Sequence, residues 1–380
     1  MKKFAFCLIF VFCAAVVGCL FMGAKPAAEP IAAAAYVLME AKTCTVLEAE
    51  NPDKQLNAGY LSKLMSILLF AEDIETGKYS LSTEITAPQS VYGTKGSVVW
   101  LEPGDKMTVE ELLKSAIIGN ANDAVTTLAK ASEQSLDDFV KRMNTRAFEL
   151  GLRNTAFYAP NGYYDEREYT TAADMAVICA RLSRYEFLTS YFQTWRDFVK
   201  EGTVELVSEN TLSRTYDRHC GFKACHSDEA GYCIAEGGRT ENGTTYIAVI
   251  LGAADEETAL STAKSLVKRG FSDYKVTAAD FPEEVLKPIA VRDGTESAVE
   301  IGFAEMESIV VPRGVKSLRT TSVIPQYVAA PIKKGQRLGT AAFYSGDTLV
   351  SETDIVAKSE VKRLSIRYVF SKLLLNVLEK

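Results

Sequence analysis

The chain has 380 residues, 47% of them hydrophobic and 24% charged, with a formal net charge of −7. That length suits about two domains once a leader is set aside, and the composition supports a core without disulfides or metals. An acidic chain without a basic stripe excludes nucleic acid as an expected partner.

Lys2 and Lys3, the apolar stretch Phe4 to Met22 and a small-residue segment after it read as a leader over 1–30. It is a secretory signal or an uncleaved N-terminal anchor. Val16-Val17-Gly18-Cys19 also resembles a bacterial lipobox, which would make Cys19 a lipidated terminus. Leu20-Phe21-Met22 stays apolar past that cysteine, so ordinary export is the expectation. Either way the body is expected at the outer face of the cytoplasmic membrane. Behind the leader stand Cys44, Cys179, Cys220, Cys225 and Cys233, an odd number that implies no disulfide framework.

Residues 36–50 read as two strands around a turn at Ala41 to Cys44. An apolar helix follows from Leu64 to about Thr76, stopped by Gly77. Thr108 with Glu111 marks a capping box for the helix to Ile118. Further helices are expected from Asn120, from Ser135 to Leu150 before Gly151, and from Thr170 or Thr171 to Tyr185. Val204 to Val207, Gly221 to His226, Tyr232 to Glu236 and Tyr246 to Leu251 read as strands of one sheet, with a helix over 255–269 packed on it. Together these form a first domain over 31–280. Beyond Phe281-Pro282, short alternating segments up to Tyr344 punctuated by glycines read as a small all-β domain over 281–358. In the tail, 359–380, Ile366, Val369, Phe370, Leu373, Leu374, Val377 and Leu378 form one apolar stripe at helical spacing. The expectation is an interfacial membrane anchor, the alternative a helix docked on its own domain.

Asn57-Ala58-Gly59-Tyr60-Leu61-Ser62-Lys63-Leu64-Met65-Ser66 organises the rest. It resembles the start of the active-site helix in the serine D-alanyl-D-alanine carboxypeptidases, the low-molecular-weight penicillin-binding proteins. The turn before Thr45 and Ala330-Pro331-Ile332-Lys333-Lys334-Gly335 are similar to that family's opening hairpin and C-terminal β domain. The resemblance covers nearly all of 36–358. It implies an α/β (α+β) fold, with an antiparallel transpeptidase-like sheet flanked by helices, then a β domain and a tail helix. It also implies acyl transfer on peptidoglycan stem peptides, without a cofactor or metal.

The resemblance assigns three motifs. At the nucleophile position Tyr60 replaces serine, while Lys63 keeps the general base. Ser62 points about 100° away on a helix and Ser66 lies a turn deeper, so neither substitutes. Asn120-Ala121-Asn122 stands where a proton-shuttling Ser-x-Asn is expected. Asn120 does not titrate near neutrality, whereas Asn122 still offers hydrogen bonds. Lys223-Ala224-Cys225 followed by His226 stands at the substrate-binding Lys-Thr-Gly strand. Ala224 lacks the hydroxyl that grips the substrate carboxylate, and Cys225 puts bulk where glycine admits a ligand. His219-Cys220 with Cys225-His226 offers metal-ligand residue types, but on a continuous strand Cys220 and Cys225 face opposite sides, so no metal is expected. The expected protein is a catalytically inactive homologue binding stem peptides or envelope proteins. The alternatives are an active carboxypeptidase with another nucleophile and a structural or assembly protein of the envelope.

Overall fold

The computed structural model describes residues 31–370 apart from 164, 279–285, 305–307, 316, 367 and 369. The expected leader, Cys19, the boundary at Phe281-Pro282 and most of the tail lie outside the described residues. The chain opens with the antiparallel pair β1 (Ala33–Glu40) and β2 (Thr45–Glu50). Their turn is fastened by Glu40, which accepts from the Lys42 and Thr43 backbone N–H groups and the Thr43 hydroxyl. Cys44 closes it in the left-handed region at φ 53°, which explains why glycine is the residue expected there.

A short 3-10 turn (Gly59–Ser62) leads into α1 (Lys63–Glu75), which stops before Gly77 as expected. Short β3 (Glu84–Thr86) and β4 (Lys106–Thr108) precede α2 (Val109–Ile117), α3 (Asn122–Ser132), α4 (Leu136–Glu149), α5 (Ala172–Leu182) and α6 (Glu186–Gln193). Three of these helices start where side chains satisfy free N–H groups. Thr108 and Glu111 form the reciprocal capping box, and Ser135 and Thr171 accept from Asp138 and Asp174.

Next come β5 (Arg196–Val199), β6 (Val204–Val207), α7 (Leu212–Thr215), β7 (His219–Ser227), β8 (Gly231–Arg239), β9 (Thr245–Ala253) and α8 (Glu256–Asp273). The main sheet runs β2-β1-β9-β8-β7, antiparallel throughout, with β7 at one edge. Alternation sorts its side chains by face. Val37, Met39, Ala235, Val249 and Leu251 join Leu64, Leu68 and Ile178 in one core. Leu38, Ile234, Ala248 and Ile250 join Ala263, Leu266 and Val267 of α8 in the other. Burying each such side chain contributes about 1.5–3 kcal/mol.

One expectation is corrected. Val204–Val207 does not join the main sheet; it pairs with Arg196–Val199 in a separate hairpin. Lys200, Glu201 and Gly202 all take positive φ and fold the chain straight back.

The C-terminal part is all β: β10 (Tyr274–Ala278), β11 (Ile289–Arg292), β12 (Ala298–Val299), β13 (Ile301–Phe303), β14 (Ser308–Pro312), β15 (Arg319–Val323), β16 (Tyr327–Ala329), β17 (Arg337–Ser345) and β18 (Thr348–Ala357). β10 pairs with β14, and β13-β18-β17-β15 form a four-stranded sheet. β16 and β18 add to the strands read from sequence. β18 carries Glu352 and Asp354, poor strand formers, and is held between β13 and β17. Among the described residues, no helix is long and apolar enough to cross a membrane.

Candidate active site

The site is built where the turn before α1, the α2–α3 junction and the edge strand β7 converge. Tyr60 lies in the 3-10 turn, half-buried, and Lys63 is the first residue of α1, fully buried. The Lys63 Nζ stands 4.3 Å from the centre of the Tyr60 ring. The two nearby hydroxyls are engaged elsewhere. Ser62 Oγ donates to Glu168 at 2.5 Å and Ser66 Oγ donates to the Pro160 carbonyl at 2.6 Å.

Lys63 meets the α2–α3 junction directly. Its Nζ donates to the Asn120 backbone oxygen at 2.7 Å and to Asn120 Oδ1 at 2.5 Å. Asn120 takes a left-handed φ of 55°, which aims both oxygens at the amine. Its Nδ2 donates to Glu209 Oε1 at 2.9 Å. Asn120 thus bridges the lysine and a carboxylate.

Burial, aided by the Lys223 charge, holds the Lys63 amine well below the ordinary lysine range. Glu209 and Asp123 pull the other way, and complete desolvation outweighs them. This gives an expected pH dependence. Between the depressed folded value and the ordinary 10.5, the unfolded chain binds a proton that the folded chain lacks, so Lys63 makes stability rise with pH. Lys63→Met is expected to flatten that rise. Urea melts of both proteins at pH 7 and 9 read it, and equal slopes would refute the assignment.

The Tyr60 ring is roofed over. Asp123 accepts from the Val99 and Leu101 N–H groups at 3.1 and 2.9 Å and so pins the preceding loop. A Cβ at Gly96 would stand 3.0 Å from the Tyr60 hydroxyl and 2.6 Å from Asn122 Nδ2, so this loop's backbone lies against the phenol. A Cβ at Gly162 would stand 3.1 Å from the Tyr60 Cα, so the backbone at Gly162 lies against that of Tyr60. Asn122 Nδ2 donates to the Lys95 carbonyl at 2.7 Å; its buried Oδ1 has no partner among the described residues. Burial raises the Tyr60 phenol above its ordinary value, which disfavours a phenolate.

On β7, alternation divides the expected substrate residues. Lys223 and Cys225 face the site. Lys223 is buried with its Nζ 3.4 and 3.5 Å from the Ala116 and Ile117 carbonyls, at the negative end of α2. Cys225 Sγ donates to the Ala58 carbonyl at 3.6 Å. Ala224 lies on the opposite face, packed against the α8 core, and His226 is exposed with its ring 4.2 Å from that of Tyr232. The histidines have separate surroundings: His219 is buried, its Nδ1 2.8 Å from Glu236 and its Nε2 3.0 Å from the Phe192 carbonyl. Among the described residues no three metal-ligating side chains gather at one point.

Sequence reasoning missed Glu209, Asp123 and Glu236. Each acts through tertiary approach, and none carries a local motif. Chemically the site holds a buried amine, two amides and a lysine charge around an aromatic ring. It has hydrogen-bonding groups to bind, but among the described residues the serine hydroxyls near the amine, Ser62 and Ser66, are both engaged elsewhere.

Residues 22–255 match the family model described as D-alanyl-D-alanine carboxypeptidase, and residues 271–363 match that of the C-terminal domain of penicillin-binding protein 5. The chain is 31% identical over 332 residues to D-alanyl-D-alanine carboxypeptidase DacF of Bacillus subtilis, covering 86% of this chain and 85% of that one. It is 26% identical over 348 residues to DacC of Escherichia coli, with 88% and 86% covered. Penicillin binding protein 5 from Haemophilus influenzae shares the fold with a TM-score of 0.78 at 24% identity, over 90% of this chain and 100% of that one.

Proposed function

The chain belongs to the D-alanyl-D-alanine carboxypeptidase family, and from that premise we propose that it is a catalytically inactive member working in the cell envelope by binding. The observation that carries the reading is the Tyr60 ring, which stands over the Lys63 amine at the position the resemblance gives to the nucleophile. Acyl transfer needs an attacking oxygen within reach of both the base and the oxyanion donors. A phenol oxygen lies about 6.5 Å from its own Cα and cannot attack where those backbone donors point. Ser62 and Ser66 are bound to Glu168 and Pro160. Asn120, fixed between Lys63 and Glu209, holds no transferable proton.

Stem peptides of the wall are the ligand class. β7 is an edge strand, and an extended peptide can add to such an edge by main-chain hydrogen bonds. The roof over Tyr60 favours a second reading, an assembly protein whose old cleft is closed. Co-sedimentation with isolated peptidoglycan separates them. Saturable binding, competed by a peptide ending in D-Ala-D-Ala, is expected for the peptide binder; no binding refutes that reading. The apolar stripe of the tail adds a membrane surface as partner. With residues 1–30 removed from both, a chain ending at residue 359 is expected to lose the liposome binding that the chain ending at residue 380 has, and no binding by the longer chain would refute the anchor.

A further inference from the structure

We infer that Cys225 and Cys233 form an oxidisable pair: given a disulfide donor, they close a bond that ties the edge strand β7 to β8. The register carries this. Cys225 stands directly opposite Cys233 in the β7–β8 ladder. Directly opposed residues share a face, with Cα atoms about 4.5 or 5.5 Å apart, and both spacings fall within the roughly 4.4–6.8 Å that a disulfide spans. Both residues are free thiols and both belong to the core cluster behind the start of α1.

The present partners of the two sulfurs are weak. Cys225 donates to the Ala58 carbonyl at 3.6 Å. Cys233 donates to the Ala230 carbonyl and accepts from the Gly252 N–H, each at 3.5 Å. Thiols are poor donors and acceptors, so turning the sulfurs toward each other gives up little. The other three thiols lack such an opposite. Cys44 is in the β1–β2 turn, Cys179 is inside α5, and Cys220 sits where the β7–β8 register shifts. The five cysteines of the described residues thus resolve into one pair and three single thiols.

The reaction balances as thiol–disulfide exchange. One protein thiolate attacks the donor disulfide and releases a donor thiolate. The second protein thiolate attacks the mixed disulfide, forms the Cys225–Cys233 bond and expels the other donor thiolate. Two electrons and two protons pass from the protein thiols to the donor. Cys225 is the entry point, being on the edge strand and 5% exposed against 1% for Cys233. Burial pushes the Cys233 thiol up to about 11 and the Cys225 thiol up as well, so thiolate is scarce and closure is slow at neutral pH. The bond draws the Cys225 sulfur away from Ala58 and fixes the register of β7. It requires no catalysis by the cleft.

The full chain in detergent micelles is held in buffers of reduced and oxidised glutathione until its thiol content stops changing. The same end point is approached from the urea-unfolded, oxidised chain, so slow access does not decide the result. Remaining thiols are alkylated after unfolding and the chain is cut after Glu229. In oxidising buffer the peptides carrying Cys225 and Cys233 are expected to be joined, with Cys44, Cys179 and Cys220 alkylated. Closure is expected to raise the melting temperature by roughly 4–8 °C, a rise absent from Cys225→Ser and Cys233→Ser. Alkylation of both residues in the most oxidising buffer from either direction would overturn the inference. So would a bond from either one to another cysteine, or a rise that persists in Cys225→Ser.

Discussion

Tyr60→Ser alone is expected to give at most slow acylation by penicillin and little release of D-alanine from a peptide ending in D-Ala-D-Ala. The substitution supplies an oxygen and removes the ring above Lys63. The base, however, remains tied to both Asn120 oxygens, and Asn120 itself remains tied to Glu209. Without a proton shuttle at position 120 the rate should fall short by about 10²–10⁴. Cys225 still presses its sulfur against the start of α1. Ala224 faces the α8 core, so among the further substitutions Asn120→Ser and Cys225→Gly carry the expected gain. Adding Asn120→Ser, Ala224→Thr and Cys225→Gly to Tyr60→Ser is therefore expected to raise acylation and turnover at least about a hundredfold over the single variant. A single variant as fast as the fourfold one would mean that Asn120 and Cys225 impose no barrier.

Glu236→Ala is expected to cost about 3–5 kcal/mol of stability, the scale for removing one partner of a buried ion pair. Glu236 and His219 are both buried on neighbouring strands. Glu236 accepts from His219 Nδ1 at 2.8 Å and from Asn210 Nδ2 at 2.8 Å. The His219 Nε2 faces the Phe192 carbonyl at 3.0 Å, so each ring nitrogen faces an oxygen, an arrangement an imidazolium satisfies by donating from both. Burial lowers the His219 pKa, and the attraction of Glu236 outweighs it, leaving a net rise. Because the folded value is raised, the stability gained from His219 is fully present below its ordinary 6.5 and is lost as pH rises through the folded value. Glu236→Ala is expected to remove that decline and to free the segment carrying Glu209, since Asn210 loses its anchor. Urea unfolding at pH 6 and 8 measures both effects; a loss under about 1 kcal/mol would contradict the ion-pair assignment.

Much of this was legible in the residues, for reasons that differ by element. Thr108 with Glu111, Ser135 and Thr171 declare helix starts because capping is local chemistry. Tyr60, Asn120 and Cys225 stand out because the surrounding pattern sets what each position requires. Glu209 does not stand out. Its place beside Asn120 depends on Asn210 gripping Glu236 on a distant strand, a contact no local spacing encodes. The hairpin of β5 and β6 reads like any other short strand pair, and only its turn of three positive-φ residues separates it from the main sheet. Ala224 was readable as a missing hydroxyl, but its face depends on the register of β7 against β8.

With no nucleophile available beside Lys63, a β-lactam finds nothing to acylate, and covalent capture reads this out. The full chain is incubated with a labelled penicillin and its intact mass is measured, with the fourfold variant as the positive control. An inactive cleft leaves the mass of the wild-type chain unchanged. A mass increase equal to the acyl adduct, mapped by peptide digestion to Tyr60, Ser62, Ser66 or Cys225, would contradict it.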